Sequence, residues 1–222
     1  ALSVDNLLID IDSSEMPILD GSSFEFCKTI INVGLKKLKT KRSYLKILKS
    51  IEVKRKNAYI KIEPNDHLSI DYTINYPGTV VGRQNINIDF VNQNSFNSML
   101  ANCRTFTFET ELDNLRANGI IKGGSLDNAV VFGEDSPLNN EGLKYKNEPV
   151  RHKALDAIGD LYLSGHFLIG HIEAYCAGHS LMHNTILKIF SDESNFEIVS
   201  SLSKTDFNND QISQASANIL NL

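Results

Sequence analysis

The sequence predicts an α+β fold in which helices cover one side of a sheet. Segments with the alternation or the β-branched enrichment of strands outnumber the helical segments. The two kinds of segment do not alternate along the chain as they would in a doubly wound fold. Of the 222 residues, 41% are hydrophobic, which is enough for one core or two small ones.

The first forty residues predict a strand, a connector and a helix. Residues 6–12 alternate like a strand, and the turn-rich connector 15–22 ends in serines that can cap a helix over 24–35. The basic run 36–42 is interpreted as a solvated linker and as a domain boundary. The predicted domains are therefore 1–40 and 41–222.

The second part is rich in strands. Strands are predicted over 44–53, 58–63, 68–76, 84–90, 104–108, 129–132 and 169–174, with a brief extended piece at 143–146. Helices are predicted over 94–101, 109–118, 147–163 and 180–190. The polar tail beyond residue 203 is expected to fray.

Charge and cysteine content exclude several classes of function. The net charge of −5 argues against a generally basic surface for nucleic acid. The three cysteines are odd in number and widely separated, which indicates neither a disulfide framework nor a thiolate zinc site and favours the cytoplasm. We expect no transmembrane segment, because no apolar run is long enough to cross a bilayer, and the first residues lack the pattern of a secretion signal.

The segment VRHKALDAIGDL at 150–161 carries the most specific chemistry. Asn147 and Pro149 are typical of a helix start, so His152, Asp156 and Asp160, spaced by four, share one helical face. An imidazole and a carboxylate one turn apart can bind a divalent cation, and nitrogen with oxygen ligation suits zinc. The alternative is an ordinary solvated helix face.

A second candidate group follows a predicted strand. His179 comes directly after Gly178, and a histidine in such a turn can transfer a proton or stabilise an oxyanion. Taken alone, a simple turn histidine is the more common case. The remaining histidines, at 67, 166, 171 and 183, carry less weight, and Lys153 could meet an anionic substrate or simply face water.

Together these motifs resemble the zinc-dependent UDP-3-O-acyl-N-acetylglucosamine deacetylases of Gram-negative bacteria. The resemblance rests on VRHKALDAIGDL at 150–161, YCAGH at 175–179, EMPILDGS at 15–22, RTF at 104–106 and GGSLDNA at 123–129. It runs from residue 1 to near residue 190 and so covers most of the chain.

The resemblance implies a fold and an activity. The family has two similar α+β domains packed face to face with the active site between them, and in this chain the first domain would be only partly present. The implied reaction is the zinc-dependent hydrolysis of the N-acetyl group of UDP-3-O-(3-hydroxyacyl)-N-acetylglucosamine, the committed step of lipid A biosynthesis. The implied partner is this UDP-linked acylated amino sugar, and a monomer is expected.

The resemblance also implies catalytic roles by position. His152 and Asp156 match zinc ligands, and His179 matches the catalytic histidine that Asp160 orients. Thr105 matches a hydroxyl near the reacting carbonyl.

Further matches concern substrate binding. Lys153 matches a lysine that contacts the substrate, Phe106 an aromatic ring beside the sugar, and Gly124 and Ser125 lie in a matching substrate-binding motif. A β-α-β insert over about 104–132 would form a passage for the acyl chain. Its candidate lining residues, each of which could equally be ordinary insert packing, are Leu112, Ile121 and Val131.

Two departures from the family pattern are visible. The family's Glu-His pair, which supplies the general base and a third zinc ligand, would lie before residue 1 and is not in this chain. The chain as given is therefore expected to bind zinc weakly and to hydrolyse little, because catalytic zinc usually has three protein ligands. In addition, Cys176 stands where several relatives carry a basic residue.

Other classes of function stay open at this point. The first alternative is a catalytically deficient fragment that only binds sugar nucleotide or acyl chain. The second is a different metal hydrolase that shares only the His-x-x-x-Asp spacing. A purely structural protein is the weakest alternative, because it leaves three polar side chains on one helical face unexplained.

Overall fold

The computed structural model describes residues 2, 4–90, 94–117 and 124–200. The expectations for Ile121 and for the tail beyond residue 203 lie outside this range. No helix in the described ranges has both the length and the apolar character needed to cross a membrane.

The larger sheet is built around one central strand, Phe167–Tyr175. Its strands are β1 (Tyr44–Ile47), β2 (Ile51–Arg55), β3 (Ala58–Glu63), β4 (Leu68–Tyr76), β5 (Gly82–Asp89), β8 (Phe167–Tyr175) and β9 (Phe196–Val199). On one edge, β8 pairs in parallel with β4, which pairs with the antiparallel β5. β8 also pairs in parallel with β1 at its beginning, over 167–169, and antiparallel with β3 over 171–175. β9 and β2 complete the sheet beside β1 and β3.

Alternation along the strands separates a buried face from a polar face. In β3, Ile60 and Ile62 are buried, whereas Tyr59 and Lys61 lie on the other face. The described helices are α1 (Phe24–Val33), α2 (Asn94–Met99), α3 (Leu112–Ala117), α4 (Glu148–Tyr162) and α5 (His179–Phe190). α4 packs against β4 and β5, α5 packs against β2 and β3, and the two helices contact each other. This arrangement confirms the predicted α+β class.

A small second sheet occupies the predicted insert. β6 (Phe106–Phe108) and β7 (Val130–Phe132) pair in parallel, and α3 lies between them along the chain. The side chains of Tyr76, Phe106, Phe108 and Phe132 form an aromatic cluster in which neighbouring ring centroids are 5.3–6.3 Å apart. This cluster joins the small sheet to the end of β4 through Tyr76.

Several predicted elements differ from the structure. Residues 6–12 are irregular rather than a strand, and Leu7, Leu8 and Ile9 are exposed. Residues 44–53 form two strands rather than one, because the chain turns at 48–50, where the Leu48 amide donates to the Asn195 carbonyl. Residues 143–146 form a turn before α4 rather than an extended piece, since the Glu148 amide donates to the Tyr145 carbonyl. β9 was not predicted.

Candidate active site

One face of α4 carries the predicted ligand pair and a second carboxylate. The helix begins at Glu148, with Pro149 in its first turn, so the spacing of four places His152, Asp156 and Asp160 along one side. The Nε2 atom of His152 lies 3.2 Å from Oδ1 of Asp156. The structure therefore brings the two predicted metal ligands together.

The hydrogen bonds of His152 define which ring nitrogen can bind a cation. Its Nδ1 atom lies 2.9 Å from the carbonyl oxygen of Cys103, in a buried position. A carbonyl only accepts, so Nδ1 carries the proton and Nε2 of the neutral ring presents a lone pair. That lone pair faces a carboxylate oxygen of Asp156, and the contact requires a cation between them, either a proton or a metal ion. A ligand histidine in proteins is commonly fixed in this way through its other nitrogen.

Asp156 is held in its ionised form. Burial raises the pKa of its carboxyl group. With a proton between His152 and Asp156, the hydrogen bond and positive charge of His152, together with the charge of Lys153, outweigh burial and leave the pKa below its ordinary value. The Nζ atom of Lys153 lies 3.1 Å from Oδ2 of Asp156 and 5.8 Å from the ring centroid of Phe106. Lys153 thus links the ligand pair on α4 to the start of β6.

A second imidazole-carboxylate pair lies further along α4. The Nδ1 atom of His179, the first residue of α5, is 2.7 Å from Oδ2 of Asp160. The carboxylate accepts from Nδ1 and leaves Nε2 as the nitrogen available to a ligand. The His179 side chain is 69% exposed, so it can meet a molecule that enters the site. An orienting carboxylate behind an accessible histidine is suited to proton transfer.

Both pairs contribute to one small depression between α4, α5 and β4. Its lining residues are Tyr72, Lys153, Asp156, Asp160, Ala177, Gly178, His179 and Met182. Asp156 of the first pair and both residues of the second pair therefore line the same space.

The remaining predicted residues fall into two groups. Thr105 lies two residues after Cys103, whose carbonyl contacts His152, and its own carbonyl accepts from the Val130 amide. Thr105 and Phe106 are therefore next to the α4 site. Gly124 and Ser125 are exposed in the turn before β7, and the Ser125 amide and hydroxyl bond within that turn.

The proposed lining residues of the insert differ in exposure. Leu112 is half-buried at the start of α3. Val131 is only 5% exposed, and its backbone pairs with Leu138 and the Asn139 side chain. For Val131, this burial favours insert packing over lining an open passage. Ile121 lies outside the described residues.

Three of the other histidines have local partners. His67 lies between Asp66 and Asp89, His166 bonds with Ser43, and His171 bonds with Ser69. Within the described ranges, no three side chains of His, Cys, Asp or Glu converge as a metal-binding group. His166, His171 and His183 therefore do not complete the His152–Asp156 pair.

Two groups of the site could not be predicted from the sequence. The Cys103 carbonyl that fixes His152 is a backbone group, and no residue type marks its position. Tyr72 lines the depression, but apolar and polar residues alternate in the sequence of its strand, and this pattern predicts only an ordinary core residue. Cys176, half-buried, adopts a left-handed backbone with φ of +48° in the turn before His179.

Comparisons with known proteins identify the family of the chain. A family model described as UDP-3-O-acyl N-acetylglycosamine deacetylase (LpxC) matches residues 1–191. Proteins named UDP-3-O-acyl-N-acetylglucosamine deacetylase from Campylobacter fetus, Nitratiruptor and Campylobacter lari are 38%, 40% and 41% identical over 88%, 91% and 90% of the chain. The chain spans about two thirds of the length of these relatives, at 66%, 67% and 68%. The chain therefore belongs to the UDP-3-O-acyl-N-acetylglucosamine deacetylase family.

Proposed function

We propose that this protein acts in zinc-dependent hydrolysis of the N-acetyl group of UDP-3-O-(3-hydroxyacyl)-N-acetylglucosamine, the committed step of lipid A biosynthesis. The names of its relatives support the substrate and the reaction. The observation that carries the proposal is the joint placement of two imidazole-carboxylate pairs, His152 with Asp156 and His179 with Asp160, along α4.

His152 and Asp156 would hold the metal ion. A neutral imidazole nitrogen and an ionised carboxylate are the ligand types that zinc accepts, and the Cys103 carbonyl fixes the imidazole for this role. When bound, zinc supplies Lewis acidity to an amide carbonyl and to an attacking water. Because catalytic zinc usually has three protein ligands, we expect tight binding to need a further ligand, which the family resemblance places upstream of residue 1.

His179, oriented by Asp160, would transfer a proton to the leaving group. Amide hydrolysis breaks the carbon–nitrogen bond, and the departing sugar amine must receive a proton. Asp160 accepts from Nδ1 of His179, so a protonated His179 offers Nε2–H to the oxyanion and then to the amine.

The substrate contacts follow from the neighbours of α4. Lys153 lies between Asp156 and the Phe106 ring, where it can contact the polar part of the substrate while the ring packs on the sugar. We place the Thr105 hydroxyl near the reacting carbonyl, because Thr105 follows the Cys103 contact with His152. The aromatic cluster and Leu112 provide apolar surface for the acyl chain.

A second candidate is binding without catalysis. It is favoured by one observation, namely that the described residues offer two converging metal ligands rather than three. In this case the chain would hold the sugar nucleotide or the acyl chain and would not turn it over.

Zinc content of a protein that includes the preceding family segment separates the candidates. We expect about one equivalent of tightly bound zinc, which Asp156→Ala removes. The matched control is Glu134→Ala, which removes an exposed carboxylate in the loop after β7 and is expected to retain the metal. Failure of the longer protein to bind zinc would support the binding-only candidate.

Substrate selectivity tests the reaction itself. Deacetylation should be faster with the 3-O-acylated substrate than with the same sugar nucleotide lacking the acyl chain, because remote binding energy lowers the barrier of the chemical step. Equal rates on both substrates would indicate a different metal hydrolase.

A further inference from the structure

The turn that carries His179 has an unusual backbone. β8 ends at Tyr175 and α5 begins at His179, so three residues connect them. Cys176 has a φ of +48°, in the left-handed region that residues with a side chain rarely adopt. Gly178 then takes an extended conformation before the helix. Such a turn needs contacts from outside to hold its shape.

Two adjacent residues of β4 supply those contacts. The carbonyl of Thr73 accepts a hydrogen bond of 2.8 Å from the Cys176 amide. The hydroxyl of Tyr72 donates a hydrogen bond of 2.5 Å to the Ala177 carbonyl. Tyr72 is only 1% exposed, so packing fixes its ring. Burial raises the pKa of Tyr72, and the hydroxyl therefore stays protonated as a donor.

The hydroxyl of Tyr72 acts close to the proton-transfer pair. Ala177 precedes His179 by two residues, and Tyr72 lines the same depression as Asp160 and His179. His179 is largely exposed and has little packing of its own, so its position depends on the turn and on the bond to Asp160. β4 also packs against α4, which carries Asp160. Tyr72 thus connects the turn to the strand on which the Asp160 helix rests.

We propose that Tyr72 is a positioning residue for the deacetylation, and that its hydroxyl, through the Ala177 carbonyl, holds His179 against Asp160. The proposal rests on the proposed function in that His179 is taken as the proton donor. Removing the hydroxyl frees the Ala177 carbonyl and lets the turn shift. His179 then spends less time with its Nδ1–H on Asp160, whereas binding of the sugar nucleotide is largely unaffected.

The test compares Tyr72→Phe with Tyr59→Phe in the full-length zinc-bound protein. Both variants lose only a hydroxyl, but Tyr59 donates to Glu173 on the opposite face of the sheet. Nitrogen NMR of ¹⁵N-labelled histidine reads the His179 tautomer directly. We expect the Nδ1–H form in the wild type and in Tyr59→Phe, and a mixture of tautomers in Tyr72→Phe. We also expect Tyr72→Phe to lower kcat by about 10-fold while KM stays within about 2-fold.

A double-mutant cycle with Asp160→Asn completes the test, at a temperature where circular dichroism shows every variant to be folded. If Tyr72 acts through the His179–Asp160 bond, Tyr72→Phe has little further effect on kcat in the Asp160→Asn background. An unchanged tautomer in Tyr72→Phe, or equal kcat losses in both backgrounds, would overturn the proposal. Because the tautomer is measured without turnover, a wild type that holds the Nδ1–H form but does not deacetylate would refute the proposed function and not the positioning role.

Discussion

At the scale of single residues, the hydrogen-bond partners of the two imidazoles indicate which ring nitrogen of each can bind a ligand. His152 is buried, with one nitrogen fixed by a carbonyl and the other facing Asp156. His179 is exposed, with one nitrogen fixed by Asp160 and the other available to a ligand. A buried imidazole is suited to bind a metal ion, and an exposed imidazole is suited to contact the substrate. We therefore propose different roles for the two histidines.

This division predicts the effect of His179→Ala in a protein with a complete site. We expect kcat to fall by about 10²–10⁴-fold, because general acid catalysis typically contributes that much. Zinc content should stay near the wild-type value, since His179 contacts Asp160 rather than the ligand pair. The control is His183→Ala, which removes an exposed histidine one turn further along α5. Loss of zinc in His179→Ala would make His179 a ligand.

Part of the site could be predicted from the sequence. Helical spacing alone places His152, Asp156 and Asp160 on one face, and α4 has this arrangement. The pairing of Asp160 with His179 came from the family resemblance, because a contact between two helices has no fixed spacing along the chain. The contribution of Tyr72 could not be predicted, since it depends on which turn its hydroxyl reaches in the folded molecule.

At the scale of elements, the start of α4 is fixed by a buried ion pair. One oxygen of Glu148 accepts from the backbone amide and from Nε of Arg104, both at 3.0 Å. The other oxygen accepts from the Lys144 amide at 2.7 Å. A carboxylate in the first turn also interacts well with the helix dipole. These bonds tie α4 to the segment before β6, where the Cys103 carbonyl meets His152.

The ion pair gives a stability prediction with a matched control. Glu148→Gln should lower the free energy of unfolding by about 2–4 kcal/mol, because it leaves the buried Arg104 charge without its carboxylate. Glu141→Gln removes the other carboxylate that bonds Arg104, but its side chain is 58% exposed against 1% for Glu148. Its expected cost is much smaller, because solvent screens an exposed ion pair. Denaturant unfolding measures both, and equal costs would contradict this ranking.

The predicted strands agree with the structure where the apolar residues of the sequence pattern are buried in the fold. β3 and β4 match the predicted strands because apolar residues recur at every second position in both, and Ile60, Ile62, Ile70, Tyr72 and Ile74 of this pattern are buried. Residues 6–12 show the same alternation without forming a strand, since a pattern cannot tell whether a neighbouring strand edge is available. β9 is short, and its burial does not alternate, so it gives little signal.

At the scale of the whole molecule, the first part of the chain is attached through Cys27, which lies in the core, and through several polar contacts. Asp20 forms an ion pair of 2.9 Å with Lys144, and the Ser23 hydroxyl donates to the Ala101 carbonyl. The carbonyl of Gly21 accepts from the Thr105 amide at 2.8 Å. Several apolar side chains of this segment are exposed, so it adds less to the core than the sheet does.

Two glycines of this segment provide a test of the attachment. Gly21 and Gly34 both have positive φ, at +81° and +85°, so an alanine at either strains the backbone by about 1–2 kcal/mol. Only at Gly21 would the new Cβ meet another atom, the Asn128 carbonyl oxygen, at 2.2 Å. We expect Gly21→Ala to cost at least about 1 kcal/mol more than Gly34→Ala in denaturant unfolding. Gly21→Ala should also speed limited proteolysis of the first forty residues. Equal stability and equal proteolysis of the two variants would show that the close approach of Gly21 to Asn128 does not help to hold the segment.

The bond between His152 and the main chain at Cys103 has an evolutionary consequence. The acceptor is an atom that every amino acid possesses, so replacement of the side chain at 103 cannot delete it. Position 103 can therefore diverge among small apolar residues while the imidazole keeps its tautomer. The constraint on variation at this position therefore concerns the path of the backbone and not the identity of the side chain.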